Sequence, residues 1–175
     1  MCIRDRFVVA LVLGECSAQD LALRETYRDT KSVLRIHYPS EWNLDRKAIS
    51  FVILSFDPAR RPPQLLVPMN EAQIVLASAP QGTDTIDDWM KKERINPEQG
   101  YQITRVELAT DRYGPTQAML CQRKVDVIQG GSLTIYFLKL DAKVFKASLL
   151  FRGDARADYF KAVLLAVIKN LEPDR

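Results

Sequence analysis

Histidine, cysteine and glycine are scarce in this 175-residue sequence, and each shortage excludes a class of functional site. His37 is the only histidine, and Cys121 is the only cysteine outside residues 1–18. One imidazole and one thiol are too few for the usual zinc sites, which take most of their ligands from Cys and His. The seven glycines form neither a phosphate-binding loop nor the Gly-x-Ser-x-Gly turn of serine hydrolases. The sequence therefore predicts no cofactor and no metal centre.

An excess of charge of one sign is also missing. The chain has 25 Lys and Arg against 22 Asp and Glu, a net charge of +3. The two signs are interleaved rather than blocked, which is typical of a solvated surface. Nucleic-acid-binding proteins carry a basic face or stripe, so we expect no nucleic-acid partner.

The stretch 1–18 has the order of a secretory signal peptide. Basic residues precede the apolar run FVVALVL at 7–13, and small residues follow up to Ala18. The run is too short to span a bilayer, and the alternative interpretation is a buried N-terminal strand. The opening letters MCIRDR also resemble an adapter remnant of translated fragments, which leaves the native start open. We expect a periplasmic or secreted protein that begins near Gln19 and has no transmembrane segment in its mature form.

Most of the remaining chain has the alternation of β-strands. Residues 19–31 are polar and aperiodic, and we interpret them as a lead-in segment. A slip in the alternation between Ile103 and Val106 predicts a β-bulge, and the short turns after this point predict an antiparallel meander. The predicted strands cover 32–38, 48–56, 72–78, 101–108, 116–128, 132–140 and 143–151.

Two segments have helical periodicity instead. Residues 85–95 begin with Thr85 and Asp88 in the spacing of a capping box. Residues 154–171 end the chain with one apolar stripe, for which Asp154 is the predicted N-cap and Pro173 the stop signal. This stripe must pack against an apolar surface, which the alternate residues from Phe145 to Phe151 supply. The stripe consists of Phe160, Val163, Leu164, Val167, Ile168 and Leu171.

This order of strands, helix, strands and helix predicts an α+β fold built on a central antiparallel sheet. The sequence has no internal repeat and no composition shift that would mark a boundary. We therefore expect one domain over residues 32–175, and we expect it to be a monomer.

One short motif adds a resemblance to these patterns. A strand that ends in Tyr38-Pro39-Ser40-Glu41-Trp42 resembles the aromatic-Pro-x-x-Trp opening of PsbP-like, Mog-type and DcrB-type domains. The resemblance covers residues 32–171 and implies an α/β/α sandwich, with helices on both faces of the sheet. It also implies a bacterial secreted protein with a non-enzymatic role, and it assigns no functional residue.

Few side chains offer catalytic chemistry. His37 is the one candidate for a general base, and a Ser-His or Cys-His pair would have to use it. Asp84, Asp87 and Asp88 could hold a hard cation, but acidic residues also favour a helix N-terminus. We expect ordinary structural roles for all four, and for Cys121 a place in the core. No catalytic residue is assigned.

The loop 57–68 is the predicted partner-binding surface, because it contains four prolines and two adjacent arginines. Arg60 and Arg61 would form a charged rim beside the apolar Leu65 and Leu66. The predicted function is a non-enzymatic domain that binds a protein partner or assists assembly at the cell envelope. Two alternatives stay open, a hydrolase that uses His37 or the aspartates, and a carrier of a small apolar ligand. A second titratable group beside His37 would favour the enzyme.

Overall fold

The computed structural model describes residues 21–29, 34–45, 50–60, 67–125 and 130–173. Two antiparallel sheets and two α-helices make up these ranges. The helices are α1 (Ile86–Lys92) and α2 (Ala157–Lys169). The strands are β1 (Glu25–Asp29), β2 (Leu34–Tyr38), β3 (Asn43–Leu44), β4 (Phe51–Leu54), β5 (Ala72–Ser78), β6 (Gln102–Thr110), β7 (Gly114–Val125), β8 (Gly131–Leu140), β9 (Lys143–Arg152) and β10 (Glu172–Pro173).

The larger sheet has seven strands in the order β3-β4-β5-β9-β8-β7-β6. Strands β6 to β9 follow one another as hairpins, which confirms the predicted meander. The last of them, β9, then pairs antiparallel with β5 along all seven residues of β5. This arrangement places β6 at one edge of the sheet and β3 at the other.

Helix α2 covers one face of this sheet, as its periodicity predicts. Its stripe is buried against the alternate residues of β9 from Phe145 to Phe151. The predicted N-cap is wrong, because the cap residue is Arg156 and no side-chain hydrogen bond caps the helix. Asp154 lies one turn earlier and contributes its backbone carbonyl, which accepts from Ala157 N at 3.2 Å. The chain therefore makes one extra turn between Gly153 and the helix.

The smaller sheet, in the order β1-β2-β10, packs on the same face as α2. Leu34, Ile36 and Tyr38 point inward from β2, and the centroid of the Tyr27 ring lies 5.3 Å from that of the Phe51 ring of the larger sheet. Strand β1 belongs to the segment that we interpreted as a polar and aperiodic lead-in. Its side chains are mostly exposed, so no apolar alternation marks it in the sequence.

The aromatic-Pro-x-x-Trp motif joins this smaller sheet to α2. Pro39 ends β2, and its carbonyl accepts a hydrogen bond from Trp42 N at 3.1 Å in a tight turn. The turn buries the Trp42 ring edge-on against Phe160, with centroids 6.0 Å apart, and its Nε1 donates to the Tyr159 hydroxyl at 3.3 Å. The motif therefore packs the end of β2 against α2.

Helix α1 covers the opposite face of the larger sheet. Thr85 caps it, and its side chain accepts from Asp88 N at 3.1 Å, which confirms the predicted capping relation. Trp89 and Met90 are buried against β7, β8 and β9. With α2 on the other face, the sheet lies between two helical layers, and the predicted α+β sandwich is confirmed.

The predicted bulge in β6 is wrong. The register of β6 against β7 runs without interruption from Gln102 opposite Gln122 to Thr110 opposite Gly114. Ile103 packs into the core below α1, whereas Val106 packs into the core below α2. Both faces of this strand are partly covered, so an apolar residue can point either way without an insertion.

Candidate functional site

The exposed face of the smaller sheet places a guanidinium and an imidazole beside a carboxylate. Arg35 and His37 share this face of β2, and β10 pairs so that Glu172 lies directly opposite Arg35. The Glu172 carboxylate lies 3.8 Å from Arg35 Nη1 and 3.7 Å from His37 Nε2. All three side chains are partly buried, so solvent screens these contacts less than it would on a fully open surface.

A second guanidinium reaches the same carboxylate from the turn between β6 and β7. Arg112 Nε lies 3.5 Å from Glu172 Oε1. Asp111 anchors the turn to the end of α2, because its backbone N donates to Lys169 O at 2.9 Å. The Arg112 side chain is 64% exposed, and ion pairs of this kind contribute about 0–1 kcal/mol to stability. The cluster therefore contributes little to folding, and its charge remains accessible.

Three members of this cluster, Arg35, Arg112 and Glu172, line an open cleft of about 570 Å³. A second recess of about 450 Å³ adjoins it, since both are lined by Arg112, Tyr113 and Asp141. Lys139 adds another positive charge to the second recess. The two recesses are thus lined by three basic side chains, those of Arg35, Arg112 and Lys139, and by two carboxylates, those of Asp141 and Glu172. The lining therefore has an excess of positive charge. Such a surface suits an anionic group better than an apolar ligand.

Glu172 is the second titratable group that would favour an enzyme, so its geometry matters. The Thr26 hydroxyl lies 3.2 Å from His37 Nδ1, and Glu172 lies near the other ring nitrogen. A catalytic triad needs the carboxylate hydrogen-bonded to the imidazole so that it fixes the ring. The separation of 3.7 Å from Glu172 is too long for that bond. The arrangement is one of cross-strand packing and ion pairing.

Cys121 lies in the core, as predicted. Its side chain is 0% exposed on β7 below α1, and burial raises the pKa of the thiol to about 11. A thiol that is buried and protonated at neutral pH is a poor nucleophile. The aspartates near α1 serve its N-terminus, where Thr85 Oγ1 donates to Asp88 Oδ2 at 2.7 Å. Within the described ranges, no three His, Cys, Asp or Glu side chains come together to hold a metal ion.

The carrier hypothesis requires an apolar pocket between the sheet and a helix. Side chains from both layers occupy this space below α2, where Phe145, Leu149, Phe160 and Leu164 are all fully buried. The described geometry gives this hypothesis no support.

The predicted partner-binding loop lies largely outside the described residues. Arg61, Leu65 and Leu66 fall there, and of Arg60 only the backbone is described, at the end of a 3-10 turn (Pro58–Arg60). Val67 follows directly and is fully buried against β4. Met69, two residues on, is 53% exposed and is the one large apolar side chain so exposed in the described part of the chain. The assignment of this loop to a partner surface stays a prediction.

Glu172 and Arg112, which form the ion pairs of the cleft with Arg35, were not predicted from the sequence. Glu172 belongs to a two-residue strand, which is too short to produce any periodicity. Arg112 lies in a turn, where charged residues are ordinary. Only the shared face of Arg35 and His37 was visible in the alternation of β2.

Solved structures show which fold this is. A crystal structure from Bacteroides thetaiotaomicron VPI-5482 matches with a TM-score of 0.52 and 14% identity, over 86% of this chain and 48% of that chain. This chain thus spans about half the length of that protein. Cyanobacterial PsbP (CyanoP) from Synechocystis sp. PCC 6803 matches with a TM-score of 0.50 and 18% identity, over 92% and 98% of the two chains. The predicted PsbP-like fold is thereby confirmed.

The Ran-binding protein Mog1p of Saccharomyces cerevisiae matches less well. Its TM-score is 0.46 at 12% identity, over 86% of this chain and 95% of that chain, and we rest no conclusion on it. Neither a protein-family model nor a curated protein sequence matches the chain. The described ranges also contain no helix with the length and apolar character needed to cross a membrane.

Proposed function

We propose that this chain is an extracytoplasmic, non-enzymatic domain that binds a protein partner at the cell envelope. The observation that carries the proposal is the convergence of Arg35 and Arg112 around Glu172 in an open cleft. An acidic side chain or chain terminus of the partner would enter this cleft and pair with Arg112. Arg112 suits this role because an exposed guanidinium offers several donors to an incoming carboxylate.

The non-enzymatic part of the proposal is supported by what surrounds the one imidazole. The Thr26 hydroxyl and the Glu172 carboxylate flank His37, but the carboxylate is too far away to orient the ring. The other group with nucleophilic chemistry that we considered, the Cys121 thiol, lies inside the core. A binding surface needs only accessible charge and shape, and the cleft provides both.

Capture of the partner tests this proposal. The purified chain is used to capture proteins from the envelope fraction of the source cells, and the amount of the principal partner is compared among variants. Arg112→Glu should lower the captured amount about tenfold or more, because it places a second carboxylate beside Glu172. His37→Gln should leave capture unchanged, since glutamine keeps a polar side chain but removes the proton chemistry of the imidazole.

Two further variants locate the surface. Lys91→Glu is the matched control, because Lys91 is exposed on α1 at the opposite face and the charge change is the same as in Arg112→Glu. The double variant Arg60→Glu and Arg61→Glu tests the loop 57–68. Loss of capture in the loop variant alone would move the binding surface to the loop. Equal capture by every variant would contradict both surfaces, and loss of a catalytic activity in His37→Gln would revive the enzyme.

The location is tested separately, by expression of the full chain in a bacterium. Cleavage of the signal should leave a periplasmic or secreted protein whose N-terminal sequence begins near Gln19. Leu11→Arg places a charge in the apolar run of the signal and should retain the protein, uncleaved, in the cytoplasm. A periplasmic or secreted protein that still carries residues 7–13 would contradict the signal peptide.

A further inference from the structure

Among the described strands, β6 is a long and regular edge of the seven-stranded sheet. It has nine residues from Gln102 to Thr110, which corresponds to about 30 Å of extended backbone. Its only strand partner in the described part of the chain is β7, and it contains neither a bulge nor a proline. The opposite edge is the two-residue strand β3. Short strands, bulges and prolines are the usual protection of sheet edges, and β6 has none of them.

Charged side chains also protect sheet edges against pairing, and on β6 the charged side chains follow a specific order along the strand. Arg105 and Glu107 are both exposed and both point to the α1 face, on either side of Val106. Within the described residues, neither side chain takes part in an ion pair. Charged side chains on an edge strand normally oppose pairing with another strand. The order Arg-x-Glu, however, is complementary to an antiparallel copy of the same strand.

We propose that β6 pairs antiparallel with β6 of a second copy of this chain, about a two-fold axis at Val106. In this register Arg105 of each copy lies opposite Glu107 of the other, so two cross-strand ion pairs form at once. On the other face, Val106 lies beside its own symmetry mate, and Thr104 lies opposite Leu108. The interface is isologous, as in most homodimers, and it joins two seven-stranded sheets into one.

The charges also select the register. A shift of the axis to Arg105 would place the two arginines opposite each other, and a shift to Glu107 would do the same with the two glutamates. Directly opposite like charges are destabilising. An axis midway between two residues is excluded, because it would pair residues that point to opposite faces of the sheet, and paired residues must share a face. The register centred on Val106 is therefore the favoured one.

The test is sedimentation equilibrium of the purified chain at low salt, from about 1 µM to about 1 mM, a range that covers weak and moderate affinities. We expect a concentration-dependent dimer, in place of the monomer expected from the sequence alone. Arg105→Glu and Glu107→Arg should each weaken dimerisation about tenfold or more, since each places like charges opposite each other twice. The double variant Arg105→Glu with Glu107→Arg should restore it, because the swapped pair is again complementary. All substituted side chains are exposed, and circular dichroism checks that each variant folds.

Hydrogen exchange gives a second measurement on the same samples. The β6 amides that point away from β7 should become protected as the concentration rises, whereas those bonded to β7 should not change. A chain that stays monomeric at about 1 mM, the weak end of this affinity range, overturns the proposal. So does a dimer that tolerates Arg105→Glu, since it must use another surface. A dimer that both single variants abolish and the double variant fails to restore overturns the register.

Discussion

Leu164→Ala should lower the free energy of unfolding by about 2–5 kcal/mol, the usual cost of a buried leucine truncated to alanine. Leu164 is 1% exposed, at the centre of the α2 stripe, among side chains of both sheets. The truncation removes apolar contacts and leaves a cavity that the packed layers cannot close. Urea denaturation at neutral pH measures the effect, as a lower midpoint with an unchanged slope.

Lys161→Ala is the matched control on the same helix. Its side chain is 44% exposed, and its Nζ lies 3.7 Å from Asp158 Oδ1 in a surface ion pair one turn away. Surface substitutions of this kind change stability by no more than about 0.5 kcal/mol. Equal losses in Leu164→Ala and Lys161→Ala would mean that α2 presents a different face to the sheets.

The apolar stripe of α2 and the apolar face of β9 against which it packs were predictable, because in both elements the apolar residues recur regularly over a long segment. Thirteen helical residues repeat the apolar positions over several turns, and β9 alternates through ten residues. Each element also predicts the other, since an apolar stripe must be buried and an apolar strand face must be covered. The cap was less predictable, because several residues from Gly153 onward could start the helix, and packing placed the first turn at Ala157.

Strands β1 and β10 could not be predicted, for a different reason. Strand β1 is stabilised by its register with β2, and most of its own side chains face solvent. The two residues of β10 pair with β2 only because α2 ends close to that strand. Strand β1 pairs with the next strand along the chain, whereas β10 pairs with a strand that is distant in the sequence, and neither has a local apolar pattern that marks it.

The cleft follows from the same distant contacts. Its lining comes from four chain segments, which are β2, the turn after β6, the turn after β8, and β10, and these segments lie far apart in the sequence. The alternation of β2 placed Arg35 and His37 on one face, but it could not supply Glu172 or Arg112 as their neighbours. The loop 57–68 was the predicted surface instead, because its prolines and arginines are close together in the sequence.

Stability should also fall as the pH rises from 9 to 11, because the Cys121 thiol is buried in the folded state only. Burial raises its pKa from 9.0 to about 11. In this interval the unfolded chain loses the thiol proton and the folded chain keeps it. The unfolded state then binds fewer protons, so the free energy of unfolding decreases with pH. One pKa unit corresponds to about 1.4 kcal/mol, and with the midpoint at pH 11 the loss reaches about 2 kcal/mol.

Cys121→Ala separates this effect from the other groups that titrate in the same range. Burial also raises the pKa of Tyr101 and of Tyr136 above 10.0, but both tyrosines remain in the variant. The alanine variant should be less stable than the native chain at pH 8, because it loses packed volume below α1. The difference between the two chains should then shrink by about 2 kcal/mol between pH 8 and pH 11, measured by urea denaturation at each pH. A difference that stays constant over this range would show that the Cys121 thiol titrates alike in the folded and unfolded chains, and so is not held in a closed core.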